Sequence, residues 1–202
     1  ANYQVDTEKV AQEDLPEVLP GYDAIIVRSA TKVRKDLIDA CPNLKIIARA
    51  GVGLDNIDVA YAKEKGIAVY NTPAASSESV AELVFTHMFN LARFVHQSNR
   101  DLVKDDANFK GLKKAYSKGV QLRGKTLGII GFGRIGQEVA RIGLGMGMNV
   151  LPTDPMVDSV DIDINLYTTD EVRMTVKVET VDFEDVIAKS DFLTFHVPSI
   201  GH

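Results

Sequence analysis

Residues 126–136 read Thr126-Leu127-Gly128-Ile129-Ile130-Gly131-Phe132-Gly133-Arg134-Ile135-Gly136, and the fold is decided here. Thr126–Ile130 is an apolar run of strand length, and Arg134–Met146 carries the pattern of a helix. The glycines between them fit G-x-G-x-x-G, with a strand before and a helix after, the setting in which that spacing has a mechanical meaning. Gly131 permits a tight turn, Gly133 leaves the backbone bare where a pyrophosphate must approach, and Gly136 lets helix and strand pack closely. The helix N-terminus offers unpaired N–H groups and a partial positive charge, with Arg134 and Ile135 as the expected backbone donors. The next predicted strand, Asn149–Thr153, runs into Asp154. A carboxylate there can accept hydrogen bonds from both hydroxyls of an adenosine ribose and would repel a 2′-phosphate. The stretch thus predicts a Rossmann-type unit that takes a dinucleotide, NAD rather than NADP.

Working outward, residues 155–180 are acidic and loosely alternating, with an extra hairpin expected around Arg173–Glu179. A helix over Asp182–Ser190 and a strand over Phe192–His196 follow. Upstream, residues 105–125 read as an irregular connection, and before them a long helix is predicted from Ser79 to about Lys104. Ser79 and Glu82 have capping-box spacing, and Val80, Leu83, Val84, Met88, Leu91 and Val95 recur at helical intervals. At the N-terminal side a weak strand at Tyr3–Val5 and strong ones at Ala24–Val27, Lys45–Ala48 and Ile67–Tyr70 alternate with helical stretches near 12–19, 34–40 and 56–65. Alternation of this kind predicts a parallel sheet with crossover helices, and the continuous apolar runs predict strands buried on both faces.

The chain has 202 residues, 45% hydrophobic and 25% charged, with a formal net charge of −5. That composition excludes a disordered or collagen-like chain and disfavours a nucleic-acid-binding surface. No apolar run reaches the roughly 18 residues of a membrane span. The single cysteine, Cys41, cannot form an internal disulfide and fits a reducing, cytoplasmic setting. The start at Ala1 and the end just after an apolar run suggest a piece missing at each end.

Beyond the glycine motif, four more segments carry a resemblance. They are Arg28-Ser29-Ala30-Thr31-Lys32-Val33, then Arg49-Ala50-Gly51-Val52-Gly53-Leu54-Asp55-Asn56-Ile57-Asp58, then Asn71-Thr72-Pro73 with Ser79-Val80-Ala81-Glu82, and finally His196-Val197-Pro198. Together with Gly124–Gly136 they span nearly the whole chain in one order. The sequence resembles the D-isomer-specific 2-hydroxyacid dehydrogenases, closest to the D-3-phosphoglycerate branch, to which the first segment points. The resemblance implies an α/β chain of two partial lobes. Residues 1–80 would be part of a flavodoxin-like substrate-binding lobe, and residues 81–202 a Rossmann NAD-binding domain opening with the long helix. It implies that Ala50, Gly51, Val52 and Gly53 hold a substrate carboxylate with backbone N–H groups, which agrees with glycine freedom and an anion-binding nest. It implies that Val52 borders the nicotinamide and that Arg28 and Arg49 face an anionic, phosphorylated hydroxyacid. Asn71 would form a polar wall of the site, and His196, Val197 and Pro198 would lie against the adenosine half of the cofactor. The family's catalytic histidine, its supporting glutamate and its substrate-gripping arginine are expected beyond residue 202, so residues 1–202 alone should not catalyse. A homodimer around the long helix is implied as well. The stretch 155–180 is longer than the family's usual link.

Plainer readings stand beside these. Arg28 and Arg49 each end an apolar strand, where a surface ion pair is the default. Asn71 before Thr72-Pro73 can be turn chemistry. His196 reads as a structural strand-end residue rather than a base, His87 and His96 as helix packing or surface, and Ser76-Ser77 as caps. Asp158, Asp161 and Asp163 read as a solvated face, and no cluster has metal-ligand spacing. Three competing functions follow: the same chemistry on glycerate/hydroxypyruvate or D-lactate, a dinucleotide-sensing corepressor on the same fold, or a fragment that only binds NAD.

Overall fold

The computed structural model describes residues 3–165 and 173–197. It divides between Ser76 and Ser77 into two compact units, a boundary four residues before the 80/81 division expected from the sequence.

The first unit holds helix α1 (Leu15–Val18), strand β1 (Ala24–Val27), helix α2 (Lys35–Ala40), strand β2 (Ile46–Arg49), helix α3 (Val59–Glu64) and strand β3 (Ala68–Asn71). The strands form a parallel sheet in the order β1-β2-β3, with Val27 opposite Arg49 and Arg49 opposite Asn71. Its core joins Val27 and Ile47 to Leu15, Leu19, Leu37, Ile38 and Ala62 from the helical side. The opposite face differs from expectation. Ile26 and Tyr70 are 75% and 61% exposed. An apolar run identifies a strand but does not say which of its faces is covered. Tyr3–Val5 is not a strand; both residues are exposed, and no ladder partner lies beside them among the described residues.

The second unit opens with α4 (Ser77–Arg93), α5 (Val95–Lys104) and α6 (Phe109–Ala115). The single long helix of the sequence reading is therefore two, and residues 105–125 are not wholly irregular. The break is at Phe94, a non-glycine residue at φ 56°. Its loose ends are stitched: Asn90 Oδ1 accepts the His96 N–H, and the Ala92 carbonyl accepts the Val120 N–H. The helix begins at Ser77, which places Ser79 inside the first turn rather than at the cap. There follow β4 (Thr126–Ile130), α7 (Arg134–Gly145), β5 (Asn149–Thr153), β6 (Ser159–Asn165), β7 (Arg173–Glu179), α8 (Phe183–Lys189) and β8 (Phe192–Phe195). β5, β4 and β8 form a parallel sheet in that order, while β6 and β7 pair antiparallel as a separate hairpin. The Asp191 carboxylate accepts the Thr126 N–H and the Lys125 ammonium, pinning the start of β8 to the start of β4. Phe85, Met88, Leu127, Ile129, Phe132, Val139 and the hairpin residues Ile162 and Val178 share one core.

Candidate functional site

In each unit the chemistry-bearing residues gather at the carboxyl ends of parallel strands, where open α/β sheets bind ligands. In the second unit β4 ends in the glycine loop, β5 in Asp154 and β8 in His196 and Val197.

The three glycines of the loop do different work. Gly131 has φ +93°, and a Cβ there would stand 2.7 Å from the His196 carbonyl oxygen. Gly136 is buried, and its Cβ would lie 2.3 Å from the Gly131 carbonyl oxygen, so helix α7 touches the loop backbone directly. A Cβ on Gly133 would meet nothing within 4 Å. The exposed space beside Gly133 is thus open at the start of a twelve-residue helix whose N-cap has no side-chain hydrogen bond. The first helical bond runs from the Gln137 N–H to the Gly133 carbonyl. The N–H groups of Arg134, Ile135 and Gly136 therefore have no acceptor within the helix. Three donors, the positive end of α7 and a bare Cα suit a pyrophosphate.

The loop is held from both sides. Asp154 Oδ2 accepts the Phe132 N–H at 2.7 Å, and Oδ1 accepts the Met156 N–H at 2.8 Å. The Phe132 carbonyl accepts from Gln137 Nε2 at 2.9 Å. Gln137 was not singled out by the sequence; its position in the first turn after the last glycine was the available signal. The His196 N–H donates to the Ile130 carbonyl at 2.7 Å, and its ring Nε2 lies 3.0 Å from Thr194 Oγ1. Burial of that ring lowers its pKa below the ordinary 6.5. Val197 is half exposed beside Gly131. Pro198 lies outside the described residues.

In the first unit Arg28 directly follows β1, and Arg49 and Asn71 end β2 and β3. The loop after β2 is internally bonded at its start. The Ala50 N–H donates to the Val27 carbonyl, and the Gly51 N–H to the Arg49 carbonyl. The four-amide nest expected from the sequence narrows to Val52 and Gly53, whose N–H groups have no acceptor among the described residues. Asn71 Nδ2 donates to the Val52 carbonyl at 2.6 Å and the Thr72 N–H to the Gly51 carbonyl at 3.0 Å, so β3 clamps the loop. Arg49 lies over the glycines, its Nη1 2.8 Å from where a Gly51 Cβ would stand, and its buried Nε has no partner. Arg28 is exposed, and its guanidinium has no ion-pair or hydrogen-bond partner among the described residues. Asn56, read in the sequence as part of a helical stretch, is instead buried and bonded to the Arg28 and Thr31 carbonyls. Asp163 is not simply solvated; it accepts from Arg173 and Thr175, which holds its carboxyl below the ordinary carboxylate range. No metal-binding group of three or more acidic, histidine or cysteine side chains occurs among the described residues.

The chain is 45% identical over 195 residues to the hydroxypyruvate reductase of Thermotoga maritima, covering 96% of this chain and 58% of that protein. It is 43% identical to the D-3-phosphoglycerate dehydrogenase of Methanocaldococcus jannaschii, covering 94% of this chain and 33% of that protein. Among solved structures, the D-lactate dehydrogenase of Aquifex aeolicus complexed with NAD and lactic acid matches with TM-score 0.64 and 32% identity. That match covers 95% of this chain and 52% of the other. The chain spans between a third and three fifths of the length of these relatives. The family described as D-isomer specific 2-hydroxyacid dehydrogenase, catalytic domain, matches residues 1–191, and the chain belongs to it.

Proposed function

We propose that the protein of which these residues are part is an NAD-dependent dehydrogenase that interconverts D-3-phosphoglycerate and 3-phosphohydroxypyruvate, a step of serine synthesis in the cytoplasm. The observation that carries the phosphate is Arg28: an exposed guanidinium just after β1, without a partner among the described residues, beside a loop whose Val52 and Gly53 amides likewise have none there. An arginine fork suits a phosphate, and paired amides suit a carboxylate.

Roles follow by residue. Val52 and Gly53 N–H groups bind the substrate carboxylate, with Arg49 adding positive charge above the loop and Asn71 fixing its shape. Ala50 and Gly51 serve as its framework. Arg28 binds the phosphate. The N–H groups of Arg134, Ile135 and Gly136 bind the cofactor pyrophosphate, and Gly131 and Gly133 make room for it. Asp154 keeps lone pairs free beyond its two backbone bonds, enough to accept from ribose hydroxyls, while its charge opposes a 2′-phosphate. Val52, His196, Val197 and Pro198 supply apolar and shape contacts to the cofactor. Bound NAD supplies the acceptor for the hydride that leaves C2 of the hydroxyacid. The hydroxyl proton goes to the histidine expected beyond residue 202. A homodimer around α4 completes the proposal, supported by exposed Leu83, Phe89 and Leu91 on that helix.

The similarity to a hydroxypyruvate reductase favours a second reading, the same chemistry on an unphosphorylated substrate. One experiment separates them. The full-length protein is assayed with NAD and either D-3-phosphoglycerate or D-glycerate, as wild type and as Arg28→Ala. The first reading expects the variant to lose about tenfold or more in kcat/KM on the phosphorylated substrate alone. Equal losses on both substrates support the second, and no turnover of any D-2-hydroxyacid overturns both.

A further inference from the structure

Among the described residues of the first unit, Asn56 is the buried polar side chain, 4% exposed. Its Nδ2 donates to the Arg28 carbonyl at 3.0 Å and to the Thr31 carbonyl at 2.6 Å. Its own backbone carbonyl accepts the Val33 N–H at 2.9 Å, and the Val33 carbonyl accepts the Asp58 N–H at 2.9 Å. Val33 and Ile57 form a parallel bridge, and Arg34 Nη2 donates to the Asp55 carbonyl at 2.8 Å. The segment carrying Arg28 is therefore sutured to the segment that directly follows the Gly51–Gly53 loop. The amide orientation is dictated as well. A flipped Asn56 would aim its oxygen at two carbonyl oxygens, so Oδ1 stays on the other side, buried and unpartnered.

A buried polar group with one unsatisfied atom is costly, and the two backbone carbonyls it satisfies offset that cost. What the amide adds is position. The Arg28 backbone is held by Asn56 through its carbonyl, while the Val27 carbonyl before it is held by the Ala50 N–H. Both anion-binding points, the Arg28 guanidinium and the Val52 and Gly53 amides, thus hang from one hydrogen-bonded frame. We infer that Asn56 is a positioning residue that sets the spacing between those two points. It thereby sets the preference for a hydroxyacid carrying a second anionic group over one that does not. The inference rests on the assignment of Arg28 to that second group.

The test is the ratio of kcat/KM for D-3-phosphoglycerate to that for D-glycerate in the full-length protein. Both substrates are measured on one preparation, so any loss of folded protein cancels. Asn56→Ala is expected to lower the ratio about tenfold, through KM for the phosphorylated substrate, since small misplacements of a binding group cost that much or more. Asn56→Leu keeps about the same volume, removes both donors without burying a charge, and is expected to do the same; it carries the test if the alanine variant does not fold. In an Arg28→Ala background, Asn56→Ala should leave the ratio where Arg28→Ala alone puts it. Arg28→Ala measured alone distinguishes the failures. If it leaves the ratio unchanged, the phosphate assignment falls and takes the inference with it. If it lowers the ratio while both Asn56 variants lose equally on both substrates, Asn56 is structural only and the inference alone is overturned.

Discussion

Gly133 and Gly136 share one turn of chain at the start of α7, yet a methyl group would meet opposite fates at the two positions. At Gly136 it would drive into the Gly131 carbonyl, a backbone atom that cannot step aside. Gly136→Ala is expected to destabilise by about 1–3 kcal/mol, as overpacking does, read as a lower midpoint in denaturant. At Gly133 it would enter open space with φ −73°, an angle alanine adopts freely. Gly133→Ala should therefore keep the wild-type midpoint while weakening NAD binding about tenfold or more, roughly one strong hydrogen bond's worth, by calorimetric titration. An unchanged NAD affinity would remove the pyrophosphate from this helix end. His196 gives a pH test. Its burial depresses the folded pKa below the ordinary 6.5, so the unfolded chain takes up the proton first as pH falls. The stability it contributes is present above about pH 6.5 and is lost as pH drops towards the folded value. His196→Gln should flatten the fall in Tm between about pH 7.5 and 5.5; an equal fall in both proteins would assign the acid sensitivity to other groups.

The β6–β7 hairpin is an element of the core rather than an ornament on it. Ile162 is 2% and Val178 7% exposed, both within the cluster of Phe85, Leu127 and Val139. Ile162→Ala should cost about 2–5 kcal/mol, whereas Ser159→Ala, at an exposed position of β6, should fall within about 0.5 kcal/mol; equal costs by chemical denaturation would make the hairpin peripheral. This hairpin also marks where sequence reasoning reaches and where it stops. The loose alternation of residues 155–180 points to a hairpin around Arg173–Glu179 but not to β6 as its first strand, and the glycine loop announces its own strand and helix because the spacing has a mechanical cause. Phe94 announces nothing, since the usual signals of a left-handed residue are glycine and asparagine, and the break depends on acceptors supplied by Asn90 and on Val120 from a later segment. Tyr3–Val5 has strand chemistry, but a strand exists only with a neighbour, and periodicity carries no news of one. At the candidate site the same division holds. The strand-end residues were legible from motif and resemblance. Asn56 and Gln137 were not, because each works by a hydrogen bond to a backbone carbonyl that only the fold brings near.

On the scale of the whole molecule the described residues form two hydrophobic cores with no residue in common, one on each side of the Ser76/Ser77 division. Each core supports one half of the proposed chemistry: Ile47 is the fully buried residue of β2, the strand that leads into the anion loop, and Ile129 is a fully buried residue of β4, the strand that leads into the glycine loop. Ile47→Ala and Ile129→Ala should each remove about 2–5 kcal/mol, but from different sets of backbone amides. Hydrogen exchange on the full-length protein reads this directly. Ile47→Ala is expected to speed exchange in β1, β2 and β3, and Ile129→Ala in β4, β5 and β8, because cooperative opening follows contiguous packing. Saturating NAD, at about a hundredfold its Kd, should restore about 2.7 kcal/mol of protection. The gain should fall on β4, β5 and β8, the strands that carry the loop, Asp154 and His196. If either mutation instead speeds both sets equally, the two cores open as one cooperative body, and a defect in the anion loop would weaken dinucleotide binding as much as one beside the glycines.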